Sequence, residues 1–330
     1  MKKLIFLYIL FLFSNFPAQN GKNISFKPGE IWKDTDGVHI NAHGGGILFD
    51  KGTYYWFGEF KGDTNDAQVG VTVYSGKDLY NWKNEGVALK VSEDPNSEIT
   101  KGSIIERPKV IYNTKTKKYV MWFHLELKGR GYEAARTGLA VSDKPAGPYR
   151  FIRSYRPNVG NWPVDFPDSQ KRRVKGEDTI KSWTPKWIEA IQDGMFLRRD
   201  FAVGQMSRDM QLFVDDDGKA YHIHSAEENG TLHISLLTDD YQDFTNEFAV
   251  MMPSDFNEAP AIFKKDGMYY MIASGTTGWK PNPARSFRAK NIFGPWESLG
   301  NPAVGPKAET TFDSQSTYIL PVQGKKDQFI

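Results

Sequence analysis

The sequence predicts an all-β protein, a five-bladed β-propeller whose fifth blade is incomplete. Four times along the 330 residues, a short apolar strand, a turn with charged or glycine residues and an aromatic strand follow one another. Amphipathic helical periodicity is nearly absent, which disfavours α/β folds that need a crossover helix after each strand. The chain has no cysteine, so disulfide frameworks and zinc–thiolate sites are excluded.

Each of the four repeats predicts a β-hairpin followed by a third strand and an outer aromatic segment, which is the content of one propeller blade. The four hairpins cover residues 47–60, 110–126, 211–225 and 261–274. A fifth hairpin starts at Ser316, and its second strand should begin where the printed sequence stops. We therefore expect the natural protein to continue for some tens of residues, because an unclosed ring would leave unpaired strand edges.

The predicted propeller domain spans residues 20–330 and carries an insertion at about 153–205, where the blade pattern lapses. A short helix is expected within it, around Pro185 to Asp193. Insertions in propellers extend loops on one face, often the binding face. The insertion is therefore expected to lie near the functional site.

The first 19 residues have the layout of a secretory signal peptide: Lys2 and Lys3 precede an apolar run from Leu4 to Phe13. That run is too short to span a membrane, so we expect a secreted or periplasmic protein without membrane insertion. Removing the two lysines from 42 Lys and Arg leaves 40, equal to the 40 Asp and Glu. The charge balance therefore does not support a nucleic-acid partner attracted by bulk charge.

Carboxylates occur at the start of the innermost strand in three of the predicted blades, at Glu106, Asp209 and Glu258. These strands line the central channel of a propeller, so the three side chains should converge and raise the pKa of at least one of them. A raised pKa keeps a carboxylic acid protonated for use as a general acid, and paired carboxylates are the minimum equipment for glycoside hydrolysis. The alternative is that Glu106 and Asp209 form structural salt bridges with Arg107 and Arg208.

Several segments of the chain resemble glycoside hydrolase family 43, whose members are five-bladed β-propeller enzymes that act with inversion. The segments are AHGGGILFDKGTYYWFGE, ERPKVIYN, SRDMQLFVDDDGKAYHIHSAEEN, NEAPAIF and TTGWKPNP. Within the family, the likeness is to the exo-β-1,3-galactanase group. The resemblance implies an exo-glycosidase that hydrolyses terminal β-1,3-linked galactose from galactan or arabinogalactan side chains. The alternatives are activity on arabinofuranose, xylose or galactofuranose, or a catalytically silent carbohydrate-binding propeller.

The resemblance also implies roles for particular residues. Glu258 matches the general acid, and Asp209 matches the carboxylate that tunes its pKa and orients it. Gly44 and Gly45 stand where the commoner family pattern has the Asp–Pro of the general base. Two other residues are then rivals for that role: Glu106, which matches a substrate-contacting glutamate, and Gln315, which matches a glutamine near the attacking water.

Five further residues are expected to bind substrate: His43, Arg107, Arg208, Glu228 and Trp279. Trp162, Trp183 and Trp187 of the insertion are candidates to shape the subsite that closes the pocket. No cofactor is required and no metal ligands are assigned, although a structural calcium ion remains compatible with the sequence. The run Asp215 to Gly218 is more typical of a hairpin turn than of a calcium loop. The expected partner is an oligo- or polysaccharide, and the expected state is a monomer.

Overall fold

The computed structural model describes residues 22–330, which form four antiparallel sheets of four strands each. The predicted leader, residues 1–19, lies outside the described residues. The strands in chain order are β1 (His43–Asp50), β2 (Thr53–Glu59), β3 (Gly70–Gly76), β4 (Lys83–Lys90), β5 (Ile104–Asn113), β6 (Lys118–Glu126), β7 (Arg136–Ser142), β8 (Arg150–Tyr155), β9 (Met210–Val214), β10 (Ala220–Ala226), β11 (Thr231–Leu237), β12 (Phe244–Met251), β13 (Asn257–Lys265), β14 (Met268–Gly275), β15 (Arg285–Ala289) and β16 (Glu297–Gly300). Each consecutive set of four strands forms one blade, paired in chain order.

The four predicted hairpins are confirmed, and their turns explain why they form. In the first, β1 pairs with β2 through Asp50 and Thr53, leaving Lys51 and Gly52 as a two-residue loop. Both loop residues are left-handed, with φ of 46° and 78°. Two left-handed residues make the turn whose twist matches the twist of paired strands.

The core consists of apolar layers between neighbouring blades. Phe57 and Val73 of the first blade pack with Met121 and Phe123 of the second, and all four side chains are fully buried. Similar layers join the second blade to the third and the third to the fourth. Burying one such side chain stabilises the fold by about 1.5–3 kcal/mol, so these layers fix the angles between blades.

The C-terminal segment, residues 315–330, lies between the fourth blade and the first. Leu320 packs in the cluster that contains Tyr54 and Trp82 of the first blade, while the ring of Phe329 lies 4.6 Å from that of Phe263 on β13. Within the segment there is a single β-bridge, between Pro321 and Phe329. The described part of the chain therefore has four complete blades, and the predicted fifth blade is not confirmed.

The connection from β8 to β9 contains two short α-helices, α1 (Pro185–Gln192) and α2 (Met195–Asp200). The first coincides with the predicted helix and starts with Thr184, whose hydroxyl accepts a hydrogen bond from the Trp187 amide at 3.3 Å. Trp187 is buried, and its ring stacks at 5.8 Å on Phe256, directly before β13. The connection is thus anchored beside the start of the strand that carries Glu258.

No helix between residues 22 and 330 is both long enough and apolar enough to cross a membrane.

Candidate active site

The innermost strands β1, β5 and β13 share a β-bulge at their beginning. In each, a left-handed residue interrupts the pairing register. These residues are Gly44, Arg107 and Ala259, with φ of 59°, 55° and 52°. Left-handed Arg and Ala are uncommon, and bulges redirect side chains near functional sites. The side chain just before each bulge, of His43, Glu106 and Glu258 respectively, lines a common cavity.

This cavity has a volume of about 690 Å³ and collects eight of the nine predicted site residues. They are His43, Glu106, Arg107, Arg208, Asp209, Glu258, Trp279 and Gln315. They come from all four blades and from the C-terminal segment. The expectation that the first residues of the inner strands converge therefore agrees with the geometry.

Glu258 is the carboxyl group whose protonation is most altered by the site. Burial raises its pKa, the negative charge of Asp209 raises it further, and Arg107 opposes both, so that the pKa is about 7. Its Oε1 accepts a hydrogen bond from Nδ2 of Asn229 at 2.7 Å. A carboxyl group with this pKa can carry a proton near neutral pH and release it, which is what a general acid must do.

Asp209 connects the bulges of β5 and β13. Its Oδ1 accepts from Nε of Arg107 at 3.0 Å, and its Oδ2 lies 2.8 Å from Nη2 of the same side chain. Oδ2 also accepts from the backbone amide of Ala259 at 3.1 Å. The predicted structural ion pair of Asp209 is therefore present, but it joins two positions of the site. Arg208 instead donates to the carbonyl of Tyr132 at 2.9 Å.

Glu106 is bound by a tyrosine hydroxyl and by a histidine ring. The hydroxyl of Tyr132 donates to its Oε1 at 2.8 Å, and Nδ1 of His124 lies 3.1 Å from its Oε2. His124 is buried, and its other nitrogen lies 2.9 Å from Glu126. Burial opposes ionisation of Glu106, but the hydrogen bond and charge of His124 together with Tyr132 lower its pKa to about 2. Glu106 is therefore an ionised carboxylate at the cavity wall.

Gln315 is fixed at both ends of its amide. Oε1 accepts from Nη2 of Arg107 at 2.5 Å, and Nε2 donates to Oγ of Ser274 at 2.8 Å. These two bonds match the ordinary amide form, in which oxygen accepts and nitrogen donates. A guanidinium beside Oε1 disfavours placing a proton on that oxygen, as an imidic form would require.

The glycines at the start of β1 are closely surrounded by neighbouring atoms. A Cβ on Gly44 would lie 3.3 Å from Cδ of Arg107, and a Cβ on Gly45 would lie 1.5 Å from the carbonyl oxygen of Phe57. The cavity wall of the first blade is formed instead by His43, whose Nδ1 lies 2.5 Å from Oε1 of Glu59. An aspartate in place of Gly44 would meet a tight contact with Arg107 and a left-handed backbone, with φ of 59°, that disfavours residues other than glycine.

Glu59, Tyr132 and Asn229 are among the cavity residues that the sequence did not predict. Regular counting outward from the turn after Asp50 would pair His43 with Phe60, and Glu59 faces His43 only because the bulge shifts the register by one residue. Tyr132 and Asn229 lie in connections between strands, where no periodic pattern fixes the direction of a side chain.

Glu228 is the predicted site residue that the structure does not bring to the cavity. It forms an ion pair with Arg199, with N–O distances of 3.0 and 3.1 Å. Its neighbour Asn229 faces the cavity instead. The side chains of Glu228 and Asn229 point in different directions from the same turn. The sequence prediction was therefore displaced by one residue.

The exposed tryptophan Trp279 lies at the cavity wall, whereas the three tryptophans of the insertion do not line it. Trp279 is 74% exposed, its ring lies 5.9 Å from that of His43, and Nζ of Lys61 is 5.2 Å from its centroid. Trp183, Trp187 and Trp162 pack against phenylalanines instead. The three tryptophans therefore do not shape this cavity as expected, although Trp183 is itself 73% exposed.

Within residues 22–330, no group of three or more histidines and carboxylates is arranged to hold a metal ion. Asp215, at the start of the run that resembles a calcium loop, pairs with Lys264 at 2.6 Å and accepts from the hydroxyl of Tyr269. The lysine supplies the positive charge that a cation would provide there. The run forms the hairpin turn between β9 and β10.

Comparisons with known proteins agree with the site. Residues 181–317 match the family model for glycosyl hydrolases family 43. A solved GH43 β-1,3-galactosidase with galactodeoxynojirimycin is 57% identical at a TM-score of 0.89, covering 91% of this chain and 88% of that one. An exo-β-1,3-galactanase from Clostridium thermocellum is 37% identical at a TM-score of 0.70. The match covers 90% of this chain and 55% of the galactanase chain.

A further exo-β-1,3-galactanase, from Phanerochaete chrysosporium and solved with galactose, is 33% identical at a TM-score of 0.70. The match covers 89% of this chain and 57% of the galactanase chain. The chain thus spans a little over half the length of these two galactanases. Among curated proteins, no match is found. On the identity and coverage of the β-1,3-galactosidase, the chain belongs to glycoside hydrolase family 43 and is a glycoside hydrolase.

Proposed function

We propose that the protein is an exo-acting, inverting glycosidase that hydrolyses terminal β-1,3-linked galactose from galactan or arabinogalactan side chains. The observation that carries the proposal is Glu258, a cavity carboxyl group whose pKa is about 7 because of burial and the charge of Asp209. The names of the similar solved structures, β-1,3-galactosidase and exo-β-1,3-galactanase, support the choice of sugar and linkage.

In the proposed reaction, Glu258 donates its proton to the glycosidic oxygen as the bond from that oxygen to the anomeric carbon breaks. One water molecule attacks the anomeric carbon from the opposite face, which inverts its configuration. The water gives up a proton to a base, so the enzyme must regain one proton at Glu258 and lose one at the base before the next cycle. Asp209 acts through Glu258 by raising its pKa and by binding the amide of Ala259.

Two residues are candidates to act on the attacking water molecule. Glu106 is ionised and can accept a proton, although its low pKa makes it a weak base. Gln315 has an oxygen and a nitrogen that can orient a water molecule, but an amide has no useful basicity near neutral pH. We propose that Glu106 accepts the proton and that Gln315 orients the water.

The experiment that tests this function compares wild-type protein and Glu258→Gln on β-1,3-galactan, arabinan and xylan. We expect wild type to release galactose from β-1,3-galactan alone, and proton NMR of early product to show the α-anomer. Glu258→Gln should lose hydrolysis of galacto-oligosaccharides but retain cleavage of aryl galactosides with good leaving groups, which need no acid. Release of arabinose or xylose would change the sugar, and near-normal activity of Glu258→Gln on oligosaccharides would contradict the acid assignment.

We also propose that residues 315–330 take the position of the innermost strand of a fifth blade. Supporting contacts run to both neighbours: Thr317 Oγ1 donates to the Gly45 carbonyl at 2.9 Å, and Ser316 Oγ donates to the Ala259 carbonyl at 2.6 Å. The segment thus contacts the bulges of β1 and β13, as a strand beside the channel would. An experimental structure in which it lies away from these bulges would contradict this placement.

Finally, we propose that the protein is exported as a monomer after cleavage near Gln19. The basis for the proposed export is the charged and apolar pattern of the leader. Mass spectrometry of the N-terminus of protein recovered outside the cytoplasm tests the cleavage. Sedimentation velocity tests the monomer. Recovery of the uncleaved chain from the cytoplasm would contradict export.

A further inference from the structure

The turn between β10 and β11 places Asn229 directly against Glu258. Nδ2 of Asn229 donates to Oε1 of Glu258 at 2.7 Å, across the boundary between the third and fourth blades. Three consecutive residues of this turn, Glu227, Glu228 and Asn229, are left-handed, with φ of 44°, 52° and 63°. Such a conformation is unfavourable for ordinary residues, so it persists only where surrounding contacts enforce it.

The contact that enforces the turn is buried beneath it. Glu227 is fully buried and accepts hydrogen bonds from the hydroxyl of Thr231 and from Nε2 of His233, the latter at 3.1 Å. Both donors reach Oε2, and Oε1 is buried without a hydrogen-bond partner, so the burial of Glu227 depends on these two contacts. We name Glu227, Thr231 and His233 the buried clamp.

The turn is also attached to the fourth blade. The amide of Gly230 donates to the carbonyl of Glu227 at 2.8 Å, and the amide of Ser254 donates to the carbonyl of Gly230 at 2.8 Å. Ser254 lies in the short connection that leads from β12 to β13. The distance between Asn229 and Glu258 is therefore fixed from both sides.

We propose that Asn229 is a positioning residue for Glu258 and that the buried clamp holds it in place. This inference rests on the proposed function, in which Glu258 is the general acid. The carbonyl oxygen of a carboxylic acid accepts hydrogen bonds better than its hydroxyl oxygen, so the N–H of Asn229 on Oε1 favours the acidic proton on Oε2. The amide thus selects the oxygen that gives the proton to the leaving group and prevents rotation of the carboxyl group.

The same hydrogen bond has an electrostatic consequence that a purely structural role would not have. An N–H donor stabilises the ionised form of a carboxyl group and lowers its pKa. Removing the donor should therefore raise the pKa of Glu258 above its wild-type value. The protonated fraction would increase while the rate of proton transfer decreases, because the carboxyl group is no longer oriented.

The test uses Asn229→Gly, because glycine accepts the left-handed backbone without strain and removes the side chain that carries the amide. The matched control is Asn246→Gly, which makes the same change at another left-handed asparagine of the third blade, exposed on β12. On a β-1,3-galacto-oligosaccharide we expect kcat of Asn229→Gly to fall about 10–100-fold, a part of the usual effect of a general acid. On an aryl galactoside with a good leaving group, we expect a change of less than about threefold, and the control should equal wild type on both.

The pH profile separates positioning from other roles. For Asn229→Gly, the alkaline limb of kcat on the oligosaccharide should move to higher pH. Equal loss on both substrates, a change confined to KM, or an unmoved alkaline limb would each overturn the inference. If Glu258→Gln retained normal oligosaccharide hydrolysis, the proposed function itself would have failed, which is a different outcome.

The buried clamp is tested by Glu227→Gln, which keeps the volume but replaces the carboxyl group that accepts from Thr231 and His233 by an amide. We expect the same pattern as for Asn229→Gly, with a smaller loss of kcat. A Glu227→Gln protein with the wild-type pH profile and oligosaccharide kcat would show that the clamp does not hold Asn229.

Discussion

At the scale of single residues, Asp209 has two effects on Glu258. It raises the pKa of Glu258 through its charge, and it fixes the backbone beside Glu258 by accepting from the amide of Ala259. Arg107, which binds Asp209, acts in the opposite direction on the pKa. The protonation of the acid therefore depends on the balance between these two neighbours.

The first prediction concerns this balance. Because Glu258 must be protonated to act, kcat/KM should fall as the pH rises above about 7, the pKa of Glu258. Asp209→Asn removes the negative charge and leaves Arg107 unpaired, and both changes lower the pKa of Glu258. The alkaline limb of a pH–rate profile should therefore move to lower pH in Asp209→Asn. An unmoved limb, or one displaced to higher pH, would contradict the assigned cause.

A second prediction is that ionisation of Glu258 lowers the free energy of unfolding. The raised pKa means that, between pH about 4.5 and 7, the folded protein keeps a proton that the unfolded chain releases, so stability falls as the pH rises through this window. Glu258→Gln stays neutral. It should be more stable than wild type by about 2–3 kcal/mol at pH 8 and nearly equal at pH 4.

Urea unfolding at the two pH values measures this difference. Glu247→Gln, at an exposed position of β12, serves as the control and should differ from wild type by less than about 0.5 kcal/mol at either pH. A constant difference for Glu258→Gln at both pH values would show that its effect does not come from ionisation.

A third prediction separates the two residues on the water side. Replacing the base by alanine opens space for azide, which needs no deprotonation to attack the anomeric carbon. Glu106→Ala should therefore regain activity in azide and form a glycosyl azide of inverted configuration. Gln315→Ala should not, because Gln315 is an ordinary amide bound to Arg107 and Ser274. Rescue of Gln315→Ala alone would assign the base to Gln315.

At the scale of elements, the sequence was sufficient for the hairpins but not for the bulges. Period-two patterns and turn residues such as Lys51 and Gly52 determine a hairpin locally. The left-handed backbone at Arg107 and Ala259 is enforced by contacts between blades, including those of Asp209, which no local pattern reveals. For the same reason the sequence selected Glu228 where the turn presents Asn229.

The fourth prediction tests the close approach of β1 to β2. A Cβ on Gly45 would overlap the carbonyl oxygen of Phe57, so Gly45→Ala cannot keep the pairing of these strands. We expect a loss of unfolding free energy of about 3 kcal/mol or more in urea titration, or failure to fold. Gly62→Ala meets no atom within 4 Å and should stay within about 0.5 kcal/mol of wild type. Wild-type stability of Gly45→Ala would contradict the geometry.

At the scale of the whole molecule, the site exists because all four blades and the C-terminal segment meet at one axis. Lys109 on β5 joins the first blade, the second blade and the C-terminal segment. It is fully buried, its Nζ donates to the carbonyl of Gly44 at 2.9 Å and to that of Arg107 at 3.2 Å, and it lies 3.4 Å from Oγ1 of Thr317. Burial and the nearby charge of Arg107 lower its pKa well below the usual range. Lys109 lies in an apolar strand, and nothing in the surrounding sequence predicted that its side chain is buried between these parts of the molecule.

The last prediction concerns how the C-terminal segment holds the first and fourth blades together. Leu320 is buried against Tyr54 and Trp82, and it follows Gln315 and Thr317 of the cavity wall by a few residues. Leu320→Ala should lower the free energy of unfolding by about 2–4 kcal/mol through the cavity it creates.

Leu320→Ala should also reduce kcat on oligosaccharides, because the C-terminal segment would no longer hold Gln315 against Arg107. Leu299→Ala, at an exposed leucine of β16, is the matched control and should change neither quantity beyond about 0.5 kcal/mol and twofold. Urea unfolding followed by tryptophan fluorescence, together with kinetics below the transition, measures both effects. A Leu320→Ala protein as stable and active as wild type would mean that the remaining contacts of the four blades alone fix the cavity, and that the segment does not act as a fifth inner strand.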